Sequence, residues 1–216
     1  MQQQAKRVRL LVADDHALVA AGLKSMLEPR FEVVAVVEDG RTLVRVAEEQ
    51  KPDVVLLDIS MPELNGIDAA RQIREILPKT KVIFVTMYAD PTFVREAFRA
   101  GAAGYVAKRS APTELEQAIE TVLKGKLYIT PLVSKDFLGS VLTGGQRGGV
   151  ADKLTPRQRE VLQLVAEGLS AKEIAEKLHI TTKTVEFHKS GIMRALGVHT
   201  TLDLVKYAIR HGLASV

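Results

Sequence analysis

The chain contains no cysteine, and none of its hydrophobic runs approaches the roughly 20 apolar residues that a membrane-spanning helix requires. The lack of cysteine excludes disulfides, thiolate metal sites and cysteine nucleophiles. The first residues, MQQQAKRVRL, are basic but lack the apolar core of a secretory signal, because Asp14 and Asp15 interrupt the hydrophobic run that follows. We therefore expect a cytoplasmic protein with no membrane partner.

The first 152 residues have no excess of either charge, with twenty Lys and Arg against twenty Asp and Glu. From Lys153 onward there are ten basic residues against six acidic ones, so the net charge of +4 arises in this last part. The length of 216 residues is enough for two modest domains, each with its own core. The basic tail favours a nucleic-acid partner for the second domain, although a mildly basic solvated surface needs no partner.

Five apolar, strand-like runs alternate with five segments of helical periodicity in the first part of the chain. The predicted strands lie near residues 8–13, 31–37, 54–57, 82–85 and 104–107, and the predicted helices near 16–28, 40–50, 66–77, 91–100 and 113–124. Such strict alternation predicts an α/β fold: a doubly wound (βα)5 parallel sheet of the flavodoxin-like kind, with helices on both faces.

The alternation of strand-like and helical segments ends after residue 126, and the glycine-rich stretch at 139–151 has no periodicity. No strand leads into its GGQRGG run and the Lys of a P-loop is missing, so we interpret it as a flexible linker. Beyond it, Thr155 with Gln158 and Ser170 with Glu173 have the form of capping boxes that begin helices. We therefore expect a first domain at 1–126, a linker at 127–152 and a small all-α domain at 153–216.

Polar residues close or follow the predicted strands, and the carboxyl ends of parallel strands meet at one edge of a sheet. These residues are Asp14, Asp15, Asp58, Thr86 and Lys108. Converging carboxylates repel one another unless a cation neutralises them, and oxygen ligands favour Mg2+. Asp58 is placed to attack a phosphoryl group, with Lys108 offsetting charge and Thr86 donating a hydrogen bond. Each residue taken singly has a simpler explanation, such as helix capping, but their combination favours a site that binds Mg2+ and accepts a phosphoryl group.

The motifs LVADDH, VVLLDISMPELNG, VIFVT and GYVAK resemble the receiver domain of two-component response regulators, over about residues 7–125. The resemblance implies that Asp58 accepts a phosphoryl group from a sensor histidine kinase. It also implies that Asp14, Asp15 and the backbone carbonyl of Ser60 join Asp58 in holding Mg2+.

The same resemblance implies a conformational switch made of Thr86 and Tyr105. The Thr86 hydroxyl would move toward the phosphoryl group and the Tyr105 ring would turn inward, so that the new charge biases an element with two arrangements. The resemblance further implies that Ser60 and Tyr88 lie at positions that tune the lifetime of the phosphorylated state. We hypothesise that the bulky Tyr88 hinders the hydrolytic water.

The segments AKEIAEKL and TKTVEFHKSGIMRAL, joined by a short turn, have the proportions of a helix-turn-helix, which some other helical hairpins share. Val185, Ile192 and Leu196 are spaced to face a core, which leaves basic side chains available for DNA phosphates. The segment LTPRQREVLQLVAEGLSAKEIAEKLHITTKTVEFHKSGIMRALGV resembles the LuxR-type helix-turn-helix of NarL/FixJ response regulators. The candidate contacts to double-stranded DNA are Lys183, Thr184, Glu186, Phe187, His188, Lys189, Ser190 and Arg194.

Glu186 is an acidic residue on a helix expected to face DNA. It could accept a hydrogen bond from cytosine N4, or it could pair with Lys183 or Lys189 on the helix surface. For His188, a structural or backbone-contacting role is more plausible than that of a catalytic base.

Together the resemblances imply a regulator rather than an enzyme, in which phosphorylation of Asp58 switches DNA binding and a homodimer forms in the phosphorylated state. Two alternatives stay open. One is a regulator that binds DNA independently of phosphorylation and uses the receiver as a dimerisation scaffold. The other is an aspartyl-phosphate phosphatase, whose second acid would lie two residues after the nucleophile, where this chain has Ser60.

Overall fold

The structure, a computed structural model, describes residues 7–134 and 153–214. The first domain has strands β1 Arg9–Ala13, β2 Glu32–Val37, β3 Val54–Leu57, β4 Lys81–Thr86 and β5 Gly104–Ala107. Its helices are α1 Ala17–Leu27, α2 Gly40–Gln50, α3 Gly66–Ile76, α4 Pro91–Arg99 and α5 Ala111–Leu123. All strand pairs are parallel, which confirms the predicted fold. The glycine-rich segment at 139–151 lies outside the described residues.

The strands are apolar along their length because both faces of the sheet are covered. On one face, Leu11 packs in a core with residues of α2, α3 and α4, while its neighbour Leu10 faces the opposite core with residues of α1 and α5. The strand order is β2-β1-β3-β4-β5, and the direction of winding reverses between β1 and β3. Ligands of such sheets bind beyond the carboxyl ends of the strands at this reversal.

A sixth strand, β6 Tyr128–Ile129, extends the sheet beside β5. It lies in the segment 127–152 that was predicted to be linker, so the sheet continues past residue 126. The pairing is supported by side chains, because the hydroxyls of Tyr128 and Thr130 both donate to the carboxylate of Glu114 on α5. A two-residue strand has too little periodicity to be detected in the sequence.

The second domain consists of α6 Pro156–Ala166, α7 Ala171–Lys177, α8 Thr182–Leu196 and α9 Thr201–Arg210. Both predicted capping boxes are present, at the starts of α6 and α7. Val185 and Ile192 of α8 are buried against residues of α7, as their spacing predicts. None of the helices in the described ranges is long and apolar enough to cross a membrane.

The second domain contacts the first through α6, which lies against the loop between β3 and α3. Arg159 of α6 forms an ion pair with Asp68 of α3, with Nη2 2.7 Å from Oδ1, and both side chains are almost fully buried. In the same contact, the Gln163 side chain accepts a hydrogen bond from the Asn65 amide at 2.7 Å. The loop that follows Asp58 is therefore held between the two domains.

Candidate functional site

The structure brings Asp14, which follows β1, next to Asp58, which follows β3. The ligand atoms of these two residues, Asp15 and His16 lie within 4.8 Å of one another. Asp14 and Asp58 are buried, whereas Asp15 is half-buried and His16 is exposed. Asp14 also accepts a hydrogen bond from the His16 amide at the start of α1, so it helps to position that helix as well.

Lys108, which follows β5, reaches into this acidic cluster. Its Nζ lies 2.6 Å from Asp58 Oδ2 and 2.8 Å from Asp14 Oδ2. Burial favours the neutral amine, but the two carboxylates outweigh this effect and raise the pKa of Lys108, so the ammonium is charged.

The charge of the cluster fits a divalent cation. Three carboxylates and one ammonium leave two net negative charges at a position where an ion could contact several oxygens. Oxygen donors of this kind suit Mg2+. The His16 imidazole instead contacts Asp15, with Nδ1 2.7 Å from Oδ1.

The loop after Asp58 is tightly packed, which explains the glycine in the sequence motif. The Ile59 amide donates to Asp58 Oδ1 at 2.6 Å, and the Gly66 amide donates to the Ile59 carbonyl at 2.8 Å. A Cβ at Gly66 would lie 1.9 Å from the Asp58 carbonyl oxygen, so no other residue fits. Ser60 is buried in this loop, and its hydroxyl has no hydrogen-bond partner within the described residues.

Thr86 and Tyr105 are both fully buried, and both bond to the backbone of Tyr88. The Thr86 hydroxyl accepts a hydrogen bond from the Tyr88 amide at 3.4 Å, and the Tyr105 hydroxyl donates to the Tyr88 carbonyl at 2.7 Å. Burial, assisted by the charge of Asp58, raises the pKa of Tyr105, so its phenol stays protonated and remains a donor. The Tyr88 ring packs on Phe93 of α4, with ring centroids 4.3 Å apart.

The predicted DNA-facing residues all lie on α8, and none of them is buried. Lys183, Glu186, Phe187, Ser190 and Arg194 are exposed, while Thr184, His188 and Lys189 are partly exposed. Phe187 is 74% exposed, so its ring faces solvent rather than the core of the domain. In the described part of the chain Glu186 forms no ion pair with Lys183 or Lys189, so its carboxylate is available to a ligand.

Sequence reasoning missed two groups of residues. His16 belongs to the acidic cluster, and its position directly after the paired acids in the sequence could have indicated this. Asp68 and Arg159, which join the domains beside the site, are separated by 91 positions and belong to no sequence pattern.

Comparison with known proteins agrees with this division into two domains. Residues 10–120 match the model of the response regulator receiver domain, and residues 152–208 match that of bacterial regulatory proteins of the luxR family. The transcriptional regulatory protein MctR of Rhizobium johnstonii is 38% identical over 211 residues, which cover 97% of this chain and 96% of MctR. The oxygen regulatory protein NreC of Staphylococcus aureus is 36% identical, covering 95% of this chain and 99% of NreC.

Solved structures of the response regulator RcsB are similar to this chain over nearly its whole length. RcsB of Salmonella enterica serovar Typhimurium, bound to a promoter in the presence of a beryllofluoride phosphomimetic, is 30% identical with a TM-score of 0.61, over 97% of this chain and 100% of RcsB. A second structure, an RcsB–DNA complex, has a TM-score of 0.58 at 30% identity, over 94% of this chain and 98% of RcsB.

Proposed function

Because this chain belongs to the two-component response regulators that join a receiver domain to a LuxR-family DNA-binding domain and regulate transcription, we propose that phosphorylation of Asp58 controls its binding to DNA. One observation carries the proposal: the buried Asp58 carboxylate lies at the winding reversal of the sheet, beside two further acids and 2.6 Å from a charged lysine. This arrangement provides a nucleophile together with the charges that phosphoryl transfer requires.

The phosphoryl donor is a phosphohistidine of a sensor histidine kinase. A carboxylate oxygen of Asp58 attacks phosphorus, the O–P bond forms, and the P–N bond to the kinase histidine breaks. Lys108 stabilises negative charge on the transferring oxygens. Asp14, Asp15, Asp58 and the Ser60 carbonyl would hold Mg2+, which supplies further charge neutralisation.

The surface beside the crevice suits a helical partner such as the histidine-bearing helix of a kinase. Leu18 on α1 is 87% exposed, only three residues after Asp15. Ala17, Ala21 and Gly22 are also exposed on this helix, and their small side chains allow a partner helix to approach closely. These features support docking of the kinase next to Asp58.

The response to phosphate starts at Thr86. The phosphoryl oxygens are strong acceptors, so the Thr86 hydroxyl turns toward them to donate, and this changes its contact with the Tyr88 amide. Tyr105 follows because its hydroxyl is bonded to the carbonyl of the same Tyr88. The Thr86 and Tyr105 pair is thus the two-state element of the receiver.

The output is binding of a homodimer to double-stranded DNA, with α8 in the major groove. Lys183, Lys189 and Arg194 contact phosphates, which position the helix without reading sequence. Glu186, Phe187 and Ser190 face the bases, while Thr184 and His188 contact the backbone. The proposed units are a receiver that includes Val133, which is buried in its core, then a linker, and a DNA-binding domain from residue 153.

The test is uptake of phosphate from acetyl phosphate, measured by intact mass with and without Mg2+. We expect a single addition to the wild-type chain and none to Asp58→Asn; stoichiometric labelling of Asp58→Asn would contradict the proposal. Selection of bound sequences from random DNA, with and without beryllofluoride, tests the output. Equal affinity in both states would favour the scaffold alternative, and steady turnover of small phosphate esters would favour the phosphatase.

A further inference from the structure

The exposed side chains of α8 form one stripe along the helix. They recur at helical spacing and therefore project to the same side. Val185 and Ile192 face the core of the domain on the other side. We call the exposed set the α8 stripe, and it consists of Lys183, Glu186, Phe187, Ser190 and Arg194.

The α8 stripe has a cation at each end and an acid between them. Lys183 and Arg194 are separated by about 16 Å along the axis of a helix that rises roughly 1.5 Å per residue. A major groove is about 12 Å wide, so these two side chains can reach phosphates on both of its sides. Glu186 lies between them and, in the proposed complex, faces the base edges on the floor of the groove.

A carboxylate in this position can only accept hydrogen bonds. Within the described ranges no cation pairs with Glu186, although Lys183 and Lys189 lie at the spacing of an ion pair on a helix. Two groups in the major groove donate hydrogen bonds, N4 of cytosine and N6 of adenine. Adenine also presents the acceptor N7 beside N6, guanine presents two acceptors and thymine presents one, and each acceptor repels a negative charge. Cytosine is therefore the base whose edge offers Glu186 a donor and no acceptor.

We infer that Glu186 determines sequence specificity by accepting a hydrogen bond from cytosine N4, so that each half-site contains a cytosine selected by this acid. The inference deepens the proposed function and rests on it, since it takes α8 as the helix that enters the groove. Much of the specificity comes from repulsion, because at the other three bases the carboxylate meets an acceptor as well as the charge of the phosphates. Lys183 and Arg194 hold the helix through phosphates, which allows an acid to approach the bases.

The test is selection of bound sequences from random DNA by the full-length protein and two variants. In Glu186→Gln the side-chain amide can bond to both N6 and N7 of adenine, so we expect the selected cytosine to change to adenine while the rest of the site is retained. The matched control is Glu176→Gln on α7, which removes the same charge from another exposed residue of this domain. Loss of an acid strengthens binding to all DNA in both variants, but Glu176→Gln should still select cytosine.

Replacement of the selected cytosine by N4-methylcytosine tests the hydrogen bond itself. The methyl group takes the place of the N4 hydrogen that faces the major groove, while the other N4 hydrogen still pairs with guanine. We expect the wild type to bind the methylated site more weakly, on the order of tenfold per half-site. Glu186→Ala should bind the methylated and unmethylated sites equally, because alanine makes no bond to N4 and leaves room for the methyl group. Fluorescence anisotropy measures these affinities.

The inference is overturned if Glu186→Gln selects the same sequences as Glu176→Gln, or if N4-methylcytosine leaves the affinity of the wild type unchanged. Selection is run with and without beryllofluoride and Mg2+, because the base that Glu186 contacts does not depend on phosphorylation. Lack of phosphate uptake at Asp58, or equal DNA affinity in both states, would instead overturn the proposed control by phosphorylation and leave the base preference measurable. The two failures can therefore be told apart, and a wild type that binds no DNA in either state would overturn both proposals.

Discussion

At the scale of single residues, Lys108 has two opposing effects on the site. Its ammonium neutralises Asp14 and Asp58 when no other cation is near, so it competes with a divalent ion for the same oxygens. It also offsets the charge that arrives with a phosphoryl group. Removal of Lys108 should therefore raise the affinity for the divalent ion and slow the transfer of a phosphoryl group to Asp58.

We expect Lys108→Met to raise the affinity for Mg2+ about tenfold, because the competing charge is gone, and to slow phosphate uptake from acetyl phosphate about a hundredfold. Calorimetric titration with Mg2+ and intact-mass kinetics measure the two effects. Lys124→Met, one helix length away at the end of α5, is the control and should change neither. A parallel loss of both Mg2+ affinity and phosphate uptake would show that Lys108 only stabilises the fold.

The placement of Asp14, Asp58 and Lys108 was predictable because parallel strands fix where their carboxyl ends lie, whatever the rest of the chain does. The hydrogen bond from Tyr105 to the Tyr88 carbonyl was not predictable. It depends on the rotamer that packing selects for a buried ring, and the sequence pattern contains no information about that choice.

At the scale of elements, α8 separates its fold-forming residues from its exposed ones. Val185 is buried against α7, while Phe187, two positions later, projects into solvent. A helix rotates about 200° over two residues, so these side chains lie on nearly opposite faces. Substitutions at the two positions should therefore affect different properties.

We expect Phe187→Ala to leave the melting temperature unchanged and to weaken DNA binding about tenfold, since it removes only a contact surface. Val185→Ala should instead lower the stability of the DNA-binding domain by about 2 kcal/mol, because it opens a cavity in the core. Differential scanning calorimetry and fluorescence anisotropy with a selected DNA site measure the two effects. Wild-type DNA affinity in Phe187→Ala would exclude that residue from the interface.

Element boundaries were predictable where local chemistry decides them. The capping boxes at Thr155 and Ser170 specify helix starts through bonds within four residues. The sixth strand was not predictable, because β6 has only two residues and depends on backbone pairing with β5.

At the scale of the whole molecule, the Arg159–Asp68 pair is the buried ionic contact that holds α6 to α3. Burial alone would raise the pKa of Asp68, but the hydrogen bonds and charge of Arg159 outweigh burial and hold it below the ordinary value of 3.8. A carboxyl with a lowered pKa contributes stability at pH values above the ordinary one and loses it as pH falls through the lowered pKa. Docking of the domains should thus weaken in acid through Asp68.

The two partners of this pair are not equivalent. Without Arg159, Asp68 keeps an ion pair with Arg71 at 2.6 Å. Without the Asp68 charge, the buried Arg159 guanidinium keeps its hydrogen bond to the Leu154 carbonyl but has no ion pair within the described residues. Loss of the Asp68 charge should therefore weaken the docking of the domains more than loss of the Arg159 side chain does.

We expect Asp68→Asn to disfavour docking by about 3 kcal/mol, which corresponds to a roughly hundredfold shift toward the open form, and Arg159→Leu to disfavour it less. The backbone amides of Glu63 and Asn65 donate to Glu167 and Gln163 of the second domain, so their hydrogen exchange measures how often the domains separate in both variants. The acid-dependent part of this separation that is due to Asp68 should be absent in Asp68→Asn. Glu49→Gln, which breaks only the exposed pair with Arg45, is the control and should change docking by under about 0.5 kcal/mol. If Asp68→Asn exchanges like Glu49→Gln, the buried pair does not hold the domains together, and the hydrogen bonds that Gln163 and Glu167 accept from the loop after Asp58 would be the contacts that do.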